Sequence, residues 1–318
     1  MRRLILIPLL SITAAVVALV VASTAHATYP GHNGLIAFNA VTDGQNQIYT
    51  VRPNGHDLRQ ITHGPGEALV PDWSPDGRQI VFEFDGPNPP PFCSVEIMNA
   101  DGTGIMNLTG DRNGCEAQPS FAPDGQRIVF ERFDDITFVD AIWSMDLSGG
   151  DRHQITTGAD SGGTDPNVSP DGNTLSFVAG GEPANGLFSS GLDGSNFSQL
   201  LPFTLDLAIK HDWAPDGKHL LVGTNANFFD PIDSANIATI RPDGTDLHYL
   251  IHSHDPAVNA FAGSYSPDGK YIVFRLEDHG SYALMKMRSD GSHLKQILGF
   301  SSFKPRNIDW GPRTGTDN

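Results

Sequence analysis

The 318-residue sequence is short of positive charge, with 20 lysines and arginines against 37 aspartates and glutamates and a formal net charge of −17. Such a chain repels phosphate backbones and anionic lipid, so nucleic acid is not an expected partner. Cationic ligands, metal ions and basic protein surfaces fit this charge better. Uninterrupted helix-favouring segments are also scarce because 34 glycines and 23 prolines break up the chain. That composition argues against long helices and predicts many short strands joined by turns.

Cysteine is nearly absent, since Cys93 and Cys115 are the only two. Outside the cytosol an even pair predicts a disulfide, and two free buried thiols are the alternative.

Only one apolar run approaches the length needed to span a membrane, and it occupies residues 4–22. Arg2 and Arg3 precede it, and Ala25-His26-Ala27 follows as a small-x-small cleavage signal. We therefore expect a signal peptide at 1–27, a mature domain at 28–318 and an exported protein, either extracellular or periplasmic. An uncleaved anchor is the alternative, and it is the one membrane attachment that we expect. No cysteine lies near the cleavage site, which excludes a lipoprotein.

A repeated motif fills the rest of the chain. PDWSPDGRQIVFEF starts at residue 71, and four further copies of its aromatic–xPDG–apolar order follow, one of them with Val168 in place of the aromatic. A reduced copy, NIDWGPRTG, starts at residue 307. Proline presets φ in such a turn, while aspartate and glycine tolerate the next two positions. The repeated aspartates are therefore predicted to be turn residues without a catalytic role; they are Asp76, Asp124, Asp171, Asp216 and Asp268.

Each repeat also contains a second hairpin, of which IYTVRPNGHDLRQIT from residue 48 is the first. Asn-Gly or Asp-Gly between β-rich runs favours a hairpin. The six hairpin glycines are 45 to 50 residues apart; they are Gly55, Gly102, Gly149, Gly194, Gly244 and Gly291. Four short strands per unit at this period predict a β-propeller.

The two ends of the repeat predict how the ring closes. NGLIAFNA, from residue 33, matches the second strand of a unit with no inner strand before it, and NIDWGP is an inner strand with nothing after it. Together they complete one unit. We therefore predict an all-β, six-bladed β-propeller in which the C-terminal inner strand pairs with the N-terminal strands.

The aromatic–xPDG turn, the following apolar strand and the Asp-Gly hairpin resemble the repeats of TolB-type six-bladed propellers, over nearly all of the mature chain. The resemblance implies this fold, which unrelated activities share. TolB itself has an additional amino-terminal α/β domain, which we do not expect here because the first strand follows the predicted signal almost at once. Serine peptidases with similar propellers carry a hydrolase domain, and the mature chain has no G-x-S-x-G elbow. We therefore expect a non-catalytic protein.

Antiparallel four-stranded blades place the two kinds of repetitive turn on one face and the variable connections on the other. Variable loops on a rigid scaffold commonly bind ligands. We predict that this variable-loop face binds a protein, peptide or glycan partner and that the acidic charge favours a basic one. We also predict a monomer without a cofactor. Cys93 and Cys115 both belong to this face.

Two sets of loop residues are candidates for binding. The first contains carboxylates, for which a solvated acidic rim is the alternative: Asp134, Asp135, Asp140, Asp230 and Asp233. The second contains aromatic side chains, which are either an exposed patch or loop core: Phe228 and Phe229, with Phe300 and Phe303 in another loop.

Histidines suggest an alternative function. Imidazoles together with a carboxylate hold transition metals, and a possible set is His63, His211, His252, His254 and Asp255. This set resembles oligogalacturonate lyases, which are propellers with a histidine-bound metal at the channel mouth. The alternative is a polysaccharide lyase or hydrolase that depends on a divalent metal ion.

Overall fold

The computed structural model describes residues 31–87, 93–110, 114–134, 136, 139–157, 162–181, 184–224 and 234–314. Apart from one 3₁₀ turn, Phe203–Leu205, all regular structure in these ranges is β-strand. No helix within them has the length and apolar character that crossing a bilayer requires. The signal peptide predicted at 1–27 lies outside the described ranges and stays a prediction.

Twenty-four strands form six antiparallel sheets of four strands each, and each sheet is one blade. Blade 1 contains β1 (Asn33–Thr42), β2 (Gln45–Val51), β3 (Arg59–Gln60) and the last strand of the chain. Blade 2 contains β4 (Glu67–Trp73), β5 (Gln79–Asp85), β6 (Cys93–Asn99) and β7 (Met106–Asn107). Blade 3 contains β8 (Cys115–Phe121), β9 (Arg127–Asp134), β10 (Val139–Asp146) and β11 (His153–Gln154).

The remaining three blades follow in chain order. Blade 4 contains β12 (Thr164–Val168), β13 (Thr174–Gly181), β14 (Ala184–Gly191) and β15 (Ser198–Leu201). Blade 5 contains β16 (Leu207–Trp213), β17 (Leu220–Thr224), β18 (Asn236–Ile240) and β19 (His248–Ile251). Blade 6 contains β20 (Val258–Tyr265), β21 (Tyr271–Asp278), β22 (Ser281–Arg288) and β23 (Lys295–Ser301), and the last strand, β24 (Arg306–Pro312), returns to blade 1.

The ring closes as the sequence predicts. Strand β24 pairs antiparallel with β1, and Trp310 lies opposite Ile36. Beyond the paired residues, the Arg313 N–H donates to the His32 carbonyl at 2.7 Å. The prediction of an all-β propeller with six blades is confirmed, and pairing removes the free edge that β1 would otherwise expose.

The xPDG turns are Asx-type turns. In all five copies, one aspartate oxygen accepts the backbone N–H two residues later at 2.9 to 3.1 Å. Aspartate therefore recurs here because its carboxylate satisfies the turn backbone.

The hairpin glycines explain the regular period. All six have φ between 78° and 86°, a conformation that L side chains avoid. Each also lies against the outer strand of the preceding blade, and a Cβ built on Gly149 would stand 2.0 Å from the Leu108 carbonyl oxygen. One glycine per repeat thus allows neighbouring blades to approach closely.

The core lies between the blades. Five of the six second strands bury a phenylalanine at the same register position, and Val222 takes this position in blade 5: Phe38, Phe82, Phe130, Phe177 and Phe274. Each packs into clusters that join two neighbouring blades.

The cysteine pair forms the predicted disulfide. Cys93 begins β6, Cys115 begins β8, and their Cα atoms are 4.7 Å apart. Both strand starts lie on the variable-loop face, so the bridge joins blades 2 and 3 there.

Candidate functional site at the channel mouth

The inner strands surround a channel whose innermost layer links the blades. The residue before each inner-strand aromatic is aspartate in three blades, and its carboxylate accepts the backbone N–H of the next blade's aromatic. These contacts join Asp309 to Trp73 at 2.9 Å, Asp72 to Phe121 at 2.8 Å and Asp212 to Tyr265 at 2.8 Å. The Ser264 hydroxyl accepts the Trp310 N–H at 3.0 Å in the same way. These positions hold the ring together.

Lys210 brings a positive charge into this layer. Burial lowers the pKa of its ammonium, but the surrounding carboxylates raise it more, so the net pKa lies above the ordinary value; they are Asp165, Asp309, Asp72 and Asp212. Burial raises the pKa of Asp72 well above its ordinary value, with a further contribution from Asp309. Several carboxylates thus share one ammonium in the channel.

The inner strands bulge on the variable-loop side of this layer. Four residues at the same register position have φ between 46° and 49°: Val70, Gln118, Asp165 and Asn307. A β-branched residue such as Val70 rarely adopts this conformation. A β-bulge changes the direction in which side chains point. In blades 5 and 6 the residues equivalent to Val70 are Lys210 and Ala262. Lys210, Ala262 and Asn307 line a cavity at the mouth of the channel.

The second strands contribute one position that differs from blade to blade. It follows the buried aromatic or Val222, and the six residues are Asn39, Glu83, Glu131, Val178, Gly223 and Arg275. The positions before it repeat because they form core. This position is charged in three blades, with acidic residues in blades 2 and 3 and a basic residue in blade 6.

Blades 2 and 3 form an acidic sector, which we define by Glu83, Asp85, Glu131 and Asp140. Burial, assisted by the charge of Asp85, raises the pKa of Glu83 to about 7, although the Gln118 N–H at 3.1 Å opposes this shift. Burial also raises the pKa of Glu131 to about 7, and its carboxylate accepts the Thr164 hydroxyl. Burial raises the pKa values of Asp85 and Asp140 as well. Removal from water therefore dominates the titration of this sector.

A basic pocket of about 490 Å³ lies at the channel mouth on the side of blades 5, 6 and 1. Its cationic residues are Lys210, Arg275, Lys304 and Arg306, and its apolar wall includes Phe261 and Ile308. The basic pocket stands out in a protein whose net charge is −17.

Arg275 is the least solvated of these cations. It is 8% exposed, and its guanidinium lies 3.8 Å above the centre of the Phe261 ring. Its Nη1 donates to the Pro305 carbonyl at 3.3 Å, but its buried Nε has no hydrogen-bond partner. Burial lowers the pKa of Arg275 to about 10, so the side chain is charged at neutral pH.

The carboxylate candidates are placed only in part. Asp134 ends β9 and accepts the Ile136 N–H at 2.9 Å, and Asp140 lies on the paired strand β10. Both belong to the variable-loop side of blade 3, beside Glu131 of the acidic sector. The other candidates lie outside the described residues: Asp135, Phe228, Phe229, Asp230 and Asp233.

The two aromatic candidates of the last loop, Phe300 and Phe303, lie in different environments. Phe303 packs edge-on against Phe38 and Tyr49, at 5.9 and 5.1 Å between ring centres. Phe300 remains 46% exposed. One ring is thus loop core and the other is surface.

The histidine candidates do not come together as one set. His252 and His254 are exposed, with ring centres 4.5 Å apart, and Asp255 is exposed beside them. His63 is exposed in the connection between blades 1 and 2. His211 is 1% exposed inside β16, and neighbours occupy both of its ring nitrogens. Among the residues that the structure describes, no group of three or more histidine, cysteine, aspartate or glutamate side chains is arranged to hold a metal ion.

His211 instead belongs to a buried network that joins blades 4 and 5. Its Nδ1 is 2.8 Å from Asp165, and its Nε2 is 2.8 Å from the Ser176 hydroxyl. Trp213 Nε1 donates to that hydroxyl at 2.8 Å. Ser176 is 0% exposed, so no substrate reaches it, and the serine–histidine–aspartate contacts are structural. The sequence places this histidine two residues before the inner-strand aromatic of blade 5, in the triplet His211-Asp212-Trp213. That position could have indicated a place inside a strand rather than in a metal site.

A larger cavity, of about 790 Å³, lies on the turn face between blades 5 and 6. It is lined mostly by the repeated turn residues, including Pro215, Asp216, Pro267 and Asp268. Because these residues form the turns themselves, we assign the candidate site to the channel mouth, where charged side chains vary between blades.

Comparisons with known proteins agree with this architecture. The family model described as "TolB beta propeller domain" matches residues 93–314. The Tol-Pal system protein TolB of Nitratidesulfovibrio vulgaris is 59% identical over 46 residues, which is 14% of this chain and 10% of that protein. An uncharacterized protein of Agrobacterium fabrum, Atu1656, is 30% identical over 139 residues, which is 41% of this chain and 46% of that protein. The chain thus aligns with less than half the length of either relative.

Solved structures are similar in fold. The crystal structure of TolB from Acinetobacter baumannii superimposes with a TM-score of 0.72 at 17% identity, covering 88% of this chain and 67% of that one. At this level of identity the likeness concerns the fold alone.

Proposed function

Because the chain belongs to the TolB beta propeller domain family, we propose that it is an exported, non-catalytic propeller that binds a protein or peptide partner at the channel mouth of its variable-loop face. The ring is closed by strand pairing, and most of the charged side chains of the channel mouth lie on its strands. Binding then requires little reorganisation of the propeller.

One observation carries the proposal. At one register position of the second strands, the residue changes from Glu83 and Glu131 to Gly223 and Arg275, while the position before it is a buried phenylalanine in five of the six blades. Repeating residues are explained by turns and core, whereas buried charges at a mouth are costly for stability. Charged groups with shifted pKa values in a concave site favour a binding role.

The matched relative of Nitratidesulfovibrio vulgaris is named as a Tol-Pal system protein. This supports an assembly of the cell envelope as the setting in which this chain binds its partner. A periplasmic or extracellular location also follows from the predicted signal peptide.

Affinity capture from the producing cells tests the proposal. The tagged mature protein is compared with Asp140→Lys, at the edge of the acidic sector, and with Gln126→Lys, an exposed position on the turn face. We expect both wild type and Gln126→Lys to retain one stoichiometric protein partner and Asp140→Lys to lose it. Capture that is equal for all three proteins contradicts a site at the channel mouth, and capture of glycan without protein contradicts the partner class.

A further inference from the structure

We propose that the basic pocket binds a carboxylate group of the partner and that Arg275 is its main contact. This inference rests on the proposed function, since it names the chemistry that the channel mouth recognises. The pocket itself is defined by contacts within the described residues.

Three properties of Arg275 favour a role in binding. Its side chain is more than nine-tenths buried, lines the pocket and leaves Nε without a hydrogen-bond partner. Among the described residues, the charge of Glu277 favours the ionised guanidinium, but Glu277 pairs with Lys304 and not with Arg275. A buried charge that lacks a direct ion pair is costly, and an incoming carboxylate would supply both the pair and the missing acceptor.

Its neighbours favour the same ligand. The Pro305 carbonyl and the Phe261 ring fix the orientation of the guanidinium plane, and a guanidinium suits planar, two-oxygen acceptors such as a carboxylate. Arg306 is exposed at the same mouth and adds positive charge. The Lys304 ammonium is less available to a ligand, because its Nζ already lies 3.7 Å from the Glu277 carboxylate.

The floor of the pocket favours a singly charged ligand over phosphate. Lys210 lines it, but the carboxylates of Asp72, Asp212 and Asp309 surround that ammonium. A doubly charged phosphate would meet stronger repulsion from these groups than a carboxylate would. The apolar wall at Phe261 and Ile308 offers contact to a small side chain beside the carboxylate.

Such a carboxylate comes from either a chain terminus or an acidic side chain, and short peptides distinguish the two. The probes are N-acetyl-tetra-alanine as the free acid, the same peptide as the C-terminal amide, and N-acetyl-Ala-Ala-Asp-Ala amide. Calorimetric or NMR titration of the mature protein measures each dissociation constant, with inorganic phosphate as a fourth ligand. We expect the free acid or the aspartate peptide to bind at least about tenfold more tightly than the uncharged amide, since charge-assisted hydrogen bonds are strong.

Three variants complete the test. Arg275→Gln should abolish the preference for the carboxylate, and the exposed Arg306→Gln should reduce it by a smaller factor. Arg78→Gln removes an exposed arginine on the turn face and should leave it unchanged. If Arg275→Gln does not fold, the amide comparison and Arg306→Gln still decide the matter. Equal binding of acid and amide peptides, or tighter binding of phosphate, overturns the inference.

The two proposals can fail separately. Loss of the captured partner in Asp140→Lys without any preference for carboxylates removes the carboxylate site and leaves the proposed function standing. If the protein captures no partner but still prefers carboxylate peptides in a way that depends on Arg275, the carboxylate site stands and the proposed function fails.

Discussion

Replacement of Glu83 by glutamine should stabilise the protein at alkaline pH. The ordinary pKa of this side chain is 4.5, and burial raises it to about 7 in the folded protein. Between these values the folded protein binds more protons than the unfolded chain, so stability falls as pH rises from about 4.5 to about 7. Above pH 7 the loss is complete, because Glu83 is then charged in both states.

The magnitude follows from the size of the shift. One pKa unit is about 1.4 kcal/mol, so the shift corresponds to about 3 kcal/mol at full strength. Glu83 keeps some contact with solvent in the channel mouth, so we expect about 1–3 kcal/mol in the free energy of unfolding. Glutamine retains an oxygen that can accept the Gln118 N–H. The gain should therefore be nearly complete at pH 8 and fall to about a quarter of that value at pH 5.

Urea unfolding of wild type and Glu83→Gln at both pH values measures this difference. Glu277→Gln is the control, since Glu277 lies near the end of β21 beside Lys304 and is not part of the acidic sector. A Glu83→Gln variant that is no more stable than wild type at pH 8, or that gains equally at pH 5, would refute the argument that burial controls this carboxylate.

Three other predictions concern the ring itself. Gly149→Ala should lower the free energy of unfolding by about 2–5 kcal/mol, because its φ of 80° and the Leu108 oxygen both oppose a Cβ. Gly172→Ala, with φ of 74° and open space around it, should lower it by only about 1–2 kcal/mol in the same thermal melts. Equal losses would contradict close contact between the blades. Ser176→Ala should destabilise by about 2–4 kcal/mol, since it leaves His211 and Trp213 without their shared hydroxyl, yet partner capture should persist; a stable variant that loses capture would contradict the structural role. Reduction, or Cys93→Ser with Cys115→Ser, should cost about 3 kcal/mol, as expected for a bridge across 22 residues; an unchanged denaturation midpoint would count against it.

The fold could be predicted from the sequence because its determinants are local and repeated. Asp76 and its equivalents satisfy their own turn backbone, and Gly149 and its equivalents must be glycine wherever blades touch. Closure could be predicted because the first and last fragments are complementary halves of one unit. Because the turn occurs five times and the hairpin glycine six times, the prediction does not depend on any one copy.

The site was harder to predict because its residues have no local pattern. Arg275 and Glu83 occupy equivalent positions in different blades, and only alignment of the repeats shows that the channel brings them to one mouth. His211 was misleading for a related reason. Its predicted place at or near the variable-loop face suggested a metal set, whereas the β16 backbone directs it toward Asp165 and Ser176 in the neighbouring blade.

Pairing of β24 with β1 also has a practical consequence. Because the His32 carbonyl and the Arg313 N–H are in contact, a short peptide linker could join the two ends of the described chain. New termini could then be opened at an exposed hairpin such as the one at Gly44, where nothing lies within 4 Å of a Cβ. Such a circular permutant should fold, since every sheet would keep its strands and only the order of synthesis would change.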